Sequence, residues 1–282
     1  MAKFSLIIAT YGRIDTVDRL FASIAMQPGH EIECILVDQN VDERLAPLVN
    51  QWRSRLDIQV IRCDPHSTSA RNLGIAASTG DIIAFPDDDC WFSPDLFSKI
   101  ADFFQQQSEY DLLSIGVTDG QGTPSGNRWV QKQCEISRIN IFRTSVTYSC
   151  FFRRCAAFET LRFDEKMGSR PNVIVVGAED TDFVLSALNA GIRGFFDRDL
   201  LVFHPRNDML SGNVRPDRAF HYGVGMGYTL RKYGMWLLWI GFIAYDLGRA
   251  AFCLVSGRAR PLRLCLIHAR GIWKGYTTAS DS

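Results

Sequence analysis

The chain has 282 residues, 46% hydrophobic and 22% charged, which excludes a disordered or low-complexity polypeptide and leaves room for one large α/β domain plus an appendage. Lys plus Arg and Asp plus Glu each number 31, so the overall charge carries no nucleic-acid signature, and no nucleic-acid partner is expected. The 8 cysteines are scattered, with no CxxC pair and no ladder of the kind that staples small secreted domains, which fits reduced thiols in the cytoplasm.

Phe4 to Thr10 is a β-rich run closed by Tyr11-Gly12 and followed by no small-residue cleavage site, so it reads as a first strand rather than a signal peptide. Asp15 then precedes Val17, Leu20, Phe21 and Ile24 at helical spacing. The rhythm repeats with a strand over Glu33 to Asp38, a helix over Leu45 to Trp52 and a strand over Ile58 to Arg62. Thr68 or Ser69 caps a helix through Ala77, and Asp81 to Phe85 is a further strand. Alternation of this kind predicts a mostly parallel sheet with helices on both faces, whose ligands sit beyond the carboxyl ends of the strands. The residues there are Thr10 to Arg13, Asp38, and Asp87 to Asp89. From Leu112 onward the rhythm loosens, a loop is expected over Asp119 to Asn127, and a second half begins.

The strand ending at Phe85 delivers Pro86-Asp-Asp-Asp89. Three adjacent carboxylates repel one another unless a cation neutralises them, and Mg²⁺ takes one or two protein carboxylates beside water and phosphate. Asp87 and Asp89 suit that task; the alternative is a solvated acidic turn leading into a helix over Pro94 to Gln106. Further on, Glu179-Asp-Thr-Asp182 makes a good acidic helix start before Phe183, Leu185 and Leu188. Gly223-Val-Gly-Met-Gly227 follows no strand, so tight helix packing explains it better than a dinucleotide loop. His66 and His221 have no context that assigns them a role.

From Arg231 to Ser282 eight basic residues stand against Asp246 and Asp281, a net +6 that leaves −6 for the rest of the neutral chain. The apolar run Met235 to Tyr245 is short of the ~20 residues that cross a bilayer, and Asp246 and Arg249 would stand near the hydrocarbon centre. Tryptophans beside Arg231, Lys232, Arg258, Arg260 and Arg263 suit an amphipathic helix lying on an anionic membrane surface, with a core helix or an oligomer contact as the plainer alternative.

Taken in order, Ala9-Thr-Tyr-Gly-Arg13, Val37-Asp38, Ser69-Ala-Arg-Asn-Leu-Gly74, Asp87 to Asp89 with Ser93-Pro-Asp95, and Gly177-Ala-Glu-Asp-Thr-Asp182 resemble glycosyltransferase family 2, inverting enzymes with the GT-A fold. The resemblance runs from Phe4 to about Asn207. It implies a Rossmann-like α/β GT-A domain over residues 1–230, with a nucleotide-sugar half to about 115 and an acceptor half over 116–230, followed by the helical tail 231–282. It implies Thr10, Tyr11, Arg13, Asp38, Arg71, Asn72, Asp87 and Asp88 as contacts for a UDP- or dTDP-sugar, and Asp87, Asp89 and His204 as ligands of Mn²⁺ or Mg²⁺. Asp180 matches the general base, with Glu179 and Asp182 as alternates. Gln39 and Asn40 depart from the family, which commonly has a second acid after Asp38. The tail likens the chain to bacterial exopolysaccharide enzymes, implying a lipid-linked saccharide acceptor and a cytoplasmic, peripheral place on the inner face of the cell membrane. Arg128, Trp129, Arg153 and Arg154 are candidate acceptor contacts. Two rivals are a haloacid dehalogenase-type phosphatase, whose apolar strand also ends in DxD, and a non-catalytic nucleotide-sugar-binding scaffold.

Overall fold

A computed structural model describes residues 2–125, 129–168, 175–206 and 215–278. Strand β1 (Lys3–Thr10) is the spine of the sheet, with Phe4, Leu6, Ile7 and Ile8 enclosed from both sides as a continuous apolar run requires. It pairs in parallel with β2 (Glu31–Asp38) and β4 (Ile82–Ala84), and β2 pairs in parallel with β3 (Asp57–Arg62). Helices α1 (Asp15–Ile24), α2 (Ala46–Trp52) and α3 (Ser67–Ala77) connect them. Next come β5 (Trp91–Phe92), α4 (Leu96–Gln106), β6 (Leu112–Thr118), β7 (Cys134–Glu135), β8 (Cys150–Arg153), α5 (Ala156–Glu159), α6 (Glu179–Asn189) and β9 (Gly194–Phe203). The chain closes with α7 (Pro216–Lys232), α8 (Trp236–Val255) and α9 (Ala259–Thr278).

The strands form one sheet in the order β3-β2-β1-β4-β8-β6-β9-β5, with β7 on β9. Its first four strands are parallel; beyond β4 the sheet is mixed, because β8 runs antiparallel to both β4 and β6, and β5 antiparallel to β9. This is the helix-flanked α/β architecture expected from the sequence. Strand β6 lies where the sequence rhythm loosens: it is buried along its whole length, but Ser114, Gly116 and Thr118 break its apolar signature. A register shift between Ile115 and Gly116 places Gly116 where a Cβ would stand 2.8 Å from the Arg198 carbonyl oxygen.

The chain divides into two compact units. Met1–Phe163 with Phe183–Arg206 holds the sheet, and Asp164–Asp182 with Asn207–Ser282 holds the last three helices. Within the second unit α7 and α9 touch backbone to backbone. A Cβ on Gly227 would stand 2.1 Å from the Ile272 carbonyl oxygen, and one on Gly275 2.0 Å from that of Val224. Gly223 and Gly271 repeat the arrangement one turn away against His268 and Phe220. The glycines at 223 and 227 thus serve helix packing, as their sequence context suggests. Helix α8 is uninterrupted through Asp246, whose carboxylate is buried and 2.6 Å from His268 Nδ1 on α9, while Trp239 stacks on Tyr276 at 4.4 Å.

Substituting Gly227→Ala or Gly275→Ala forces these backbones apart and should cost on the order of 1–3 kcal/mol in chemical denaturation. Gly241→Ala on α8, where nothing among the described residues lies within 4 Å of the new Cβ, should be neutral or stabilising.

Candidate functional site

Strand β4 runs into Phe85, whose ring is wedged by Phe152, Phe163 and Phe183 at centroid distances of 6.1, 5.2 and 5.3 Å. The three carboxylates that follow therefore leave from a fixed anchor. Asp87 Oδ1 lies 3.1 Å from the Arg71 guanidinium. Arg71 reaches it because α3 lies close against β1: a Cβ on Gly74 would stand 2.2 Å from Ile7 Cγ2. Asp88 accepts hydrogen bonds from the Thr10 hydroxyl at 2.7 Å and from Arg13 at 2.9 Å. Burial keeps the Asp88 pKa above its ordinary value, with Thr10 and Arg13 working against the rise. Arg13 also pairs with Asp89, and Arg19, stacked 3.8 Å over Trp91, donates to the Asp89 carbonyl at 2.7 Å.

The antiparallel pair β5/β9 sets Trp91 opposite Phe203, which brings His204, the next residue, beside the acidic run. His204 Nε2 is 3.1 Å from Asp89 Oδ1 and 4.0 Å from Asp87 Oδ2. Tyr148, stacked at 4.6 Å, fixes the plane of the imidazole. Nδ1 lies 2.6 Å from the Pro205 carbonyl oxygen, which can only accept, so Nδ1 carries a proton and the neutral ring turns its Nε2 lone pair toward Asp89. Asp89 Oδ1 is buried, and among the described residues no hydrogen-bond donor is aligned on it. Two such lone pairs 3.1 Å apart require positive charge between them, either a proton on Nε2 or a cation. Burial opposes charge on both groups, yet Asp89 and Asp87 hold the His204 pKa above its ordinary value. Likewise burial pushes Asp89 up, but His204 and Arg13 outweigh it and hold the carboxyl at about 2.

Two carboxylates and one imidazole form a ligand set that fits Mn²⁺, and Mg²⁺ less well because of the nitrogen. Cys90 Sγ is within 4.8 Å of the Asp89 and His204 ligand atoms. That thiol is enclosed, and burial beside the carboxylates pushes its pKa well up, so it stays protonated and belongs to the core.

The β1 and β2 ends meet in register, Thr10 opposite Asp38. Asp38 is 2% exposed and its Oδ1 accepts from the Asn40 amide nitrogen at 2.9 Å and side chain at 2.7 Å. Asn40 Oδ1 in turn accepts from the Gly12 N–H at 2.7 Å, and Gln39 Oε1 from the His66 N–H at 2.8 Å. Gln39 and Asn40, which depart from the family pattern, therefore hold Asp38, the β1 loop and the start of α3 together. Sequence reading missed this, although polar side chains following a buried strand end need partners. Tyr11, on the same loop, is 60% exposed.

Several expected contacts are engaged elsewhere. Asn72 exchanges hydrogen bonds in both directions with the Phe163 backbone, at 3.0 and 2.8 Å, and so clamps α3. Trp129 is buried, stacked on Phe196 and bonded to the Ser125 carbonyl, which removes it from the acceptor contacts. Arg153 binds the carbonyls of Phe104 in the last turn of α4 and of Gln107 and Tyr110 after it, and Arg154 those of Ser78 and Gly80, so both are fixed by the fold. Arg128 lies outside the described residues.

In the second unit Asp180 sits half-buried in the first turn of α6. Asp182 is 2% exposed, with Lys232 Nζ 2.9 Å from its Oδ1 and the Tyr233 hydroxyl donating to its carbonyl. Burial raises the Asp182 pKa, Lys232 opposing the rise. This enclosure sets Asp182 aside as an alternate base.

The Glycosyl transferase family 2 profile matches residues 5–162. The chain is 29% identical over 168 residues to the uncharacterized glycosyltransferase YwdF of Bacillus subtilis, covering 57% of this chain and 62% of that protein. It is 28% identical over 210 residues to the succinoglycan biosynthesis protein ExoM of Rhizobium meliloti, covering 70% of this chain and 65% of that one. Each match thus spans less than two thirds of the relative. A solved structure of Staphylococcus aureus TarS 1-349 in complex with UDP-GlcNAc superimposes with a TM-score of 0.62 at 20% identity, over 98% of this chain and 90% of that chain, and shares the fold.

Asp88 and Asp89 should separate in experiment. Asp89→Asn should abolish Mn²⁺ binding in a spin-resonance titration, whereas Asp88→Asn should retain it while losing on the order of 1–3 kcal/mol of stability with its bonds to Thr10 and Arg13.

Proposed function

The chain belongs to glycosyltransferase family 2, and on that premise we propose that it moves a sugar, with inversion, from a nucleoside diphosphate to a hydroxyl of a saccharide acceptor. The observation that carries the reading is the facing pair of Asp89 Oδ1 and His204 Nε2, beside Asp87, an arrangement that a proton on Nε2 or a bound cation would satisfy and whose donor set fits a divalent cation. The family match over residues 5–162 sets aside the phosphatase reading of the DxD run.

A divalent cation held by Asp87, Asp89 and His204 would supply positive charge to the departing diphosphate. Arg13 and Arg71, already turned toward the acidic run, can exchange a carboxylate for a phosphate oxygen at little cost in geometry. Asp38, pinned by Asn40, would accept hydrogen bonds from the nucleoside. Asp180 takes the proton of the acceptor hydroxyl as its oxygen attacks the anomeric carbon. The UDP-GlcNAc complex of TarS supports a UDP-sugar, and the likeness to the succinoglycan biosynthesis protein ExoM supports a role in polysaccharide biosynthesis, for which a lipid-linked acceptor is our own proposal.

The tail supports a place on the inner face of the cell membrane. Helix α8 is long and apolar enough to cross a membrane by length and composition, and most of its surface is uncovered. Leu237, Ile240, Leu247 and Leu254 are exposed at spacings that put them on one face, and exposed Arg258, Arg260 and Arg263 follow. Asp246 is turned inward to His268, so its charge does not interrupt that face.

In a thermal-shift panel of nucleotide sugars, a UDP-sugar should stabilise the protein only with Mn²⁺ present. Asp180→Asn should keep that shift and lose on the order of 10²–10⁴-fold in kcat; nucleotide-sugar binding without any turnover in the unmutated chain would instead favour a binding scaffold. Replacing Leu247 and Leu254 by Glu should release the protein from vesicles containing phosphatidylglycerol, and unchanged co-sedimentation contradicts the docking face.

A further inference from the structure

The middle glycine of Gly223-Val-Gly-Met-Gly227 has a different partner from its neighbours. Gly223 and Gly227 face α9, but a Cβ on Gly225 would stand 2.1 Å from the Gly177 carbonyl oxygen and 3.1 Å from that of Val176. Tyr222 occupies the space where a Cβ of Gly177 would point, 2.6 Å from its ring. Helix α7 therefore lies directly on the peptides that lead into α6. Those peptides are unusual: Gly177 has φ 90° and Ala178 φ 63°, and a non-glycine residue in the left-handed region persists only where its surroundings over-determine it. Glu179 and Asp180 follow at once.

The same face of α7 meets the other side of this turn. Seven residues beyond Gly225, two helical turns along, Lys232 Nζ lies 2.9 Å from Asp182 Oδ1, 3.0 Å from Asp182 Oδ2 and 2.8 Å from Asp164 Oδ2. Tyr233 donates to the Asp182 carbonyl at 3.0 Å. Asp164 and Asp182 would repel each other without the ammonium between them. The Lys232 side chain is 34% exposed but that of Asp182 only 3%, so the ammonium also keeps a buried carboxylate from standing unpaired. It supplies direction as well: it fixes the start of α6 two residues past Asp180.

We infer that helix α7 positions the acidic turn, gripping it at Gly177 through Gly225 and at Asp182 through Lys232, so that these two residues act on the transfer through Asp180. The inference rests on the reading of Asp180 as the base. It assigns to Lys232 and Gly225 a role that neither charge nor the family motifs indicate.

The test follows UDP release from UDP-N-acetylglucosamine with Mn²⁺ and water as acceptor. Water oxygen bonds to the anomeric carbon, the bond to UDP breaks and Asp180 takes the proton. Lys232→Met in the full chain should lower kcat on the order of 10- to 100-fold with little change in KM, and Lys232→Arg should recover most of it. In an Asp180→Asn background Lys232→Met should have no further effect, because both substitutions remove the same contribution. An equal loss in both backgrounds, or no loss in the unmutated one, overturns the inference. If the unmutated protein releases no UDP, or Asp180→Asn turns over normally, the reading of sugar or base has failed instead. Hydrogen exchange then decides: the Asp182 amide, which donates to the Ala178 carbonyl at 2.9 Å, should exchange faster in Lys232→Met and Gly225→Ala, and an unchanged rate overturns the inference. Should Lys232→Met not fold, Tyr233→Phe, which removes one hydrogen bond, takes its place in both measurements.

Discussion

Three carboxylates on consecutive residues cannot share one strand end unless their repulsion is relieved, and the carboxyl edge of the sheet is organised by that relief. Each acid is answered from a different part of the first unit: Asp87 by Arg71 on α3, Asp88 by Thr10 and Arg13 after β1, and Asp89 by Arg13 and by His204 after β9. Segments far apart in sequence are thereby tied to one point. The relief is incomplete at Asp89, where a carboxylate oxygen and an imidazole nitrogen face each other without an aligned hydrogen bond. That remaining demand for positive charge connects the fold to the proposed chemistry.

The first half of the sheet is legible in the sequence because its strands are covered on both faces and so read as continuous apolar runs, as at Phe4 to Ala9. The expected strand over Asp81 to Phe85 is longer than the observed Ile82–Ala84, because Phe85 leaves the ladder to enter a phenylalanine cluster. The second half is hidden for a physical reason: β6 buries Ser114 and Thr118, and β5 is a two-residue strand that exists only through its pairing with β9. In the tail, the expectation of an apolar run broken at Asp246 gives way to a continuous helix, since His268, 22 residues later, takes up the charge. No local pattern contains that partner.

The candidate site divides in the same way. Asp87, Asp89 and His204 stand out by residue type and by position after strands, and the structure brings them together. Gln39, Asn40 and Lys232 do not stand out, because their importance lies in partners supplied by distant segments. Conversely Asn72, Trp129, Arg153 and Arg154 have suggestive side chains whose hydrogen bonds are already committed to the backbone. The second unit carries a separate logic. Its glycine-to-glycine contact holds α7 against α9, leaving another face of α7 for the acidic turn and most of the α8 surface uncovered.

The central claim, that the acidic run and His204 together hold a divalent cation, is tested most directly by electron spin-echo spectroscopy of the Mn²⁺-loaded protein with UDP. Modulation from one directly coordinated histidine nitrogen is predicted, lost in His204→Ala. Tightly bound Mn²⁺ with an all-oxygen signature, unchanged by that substitution, would contradict it.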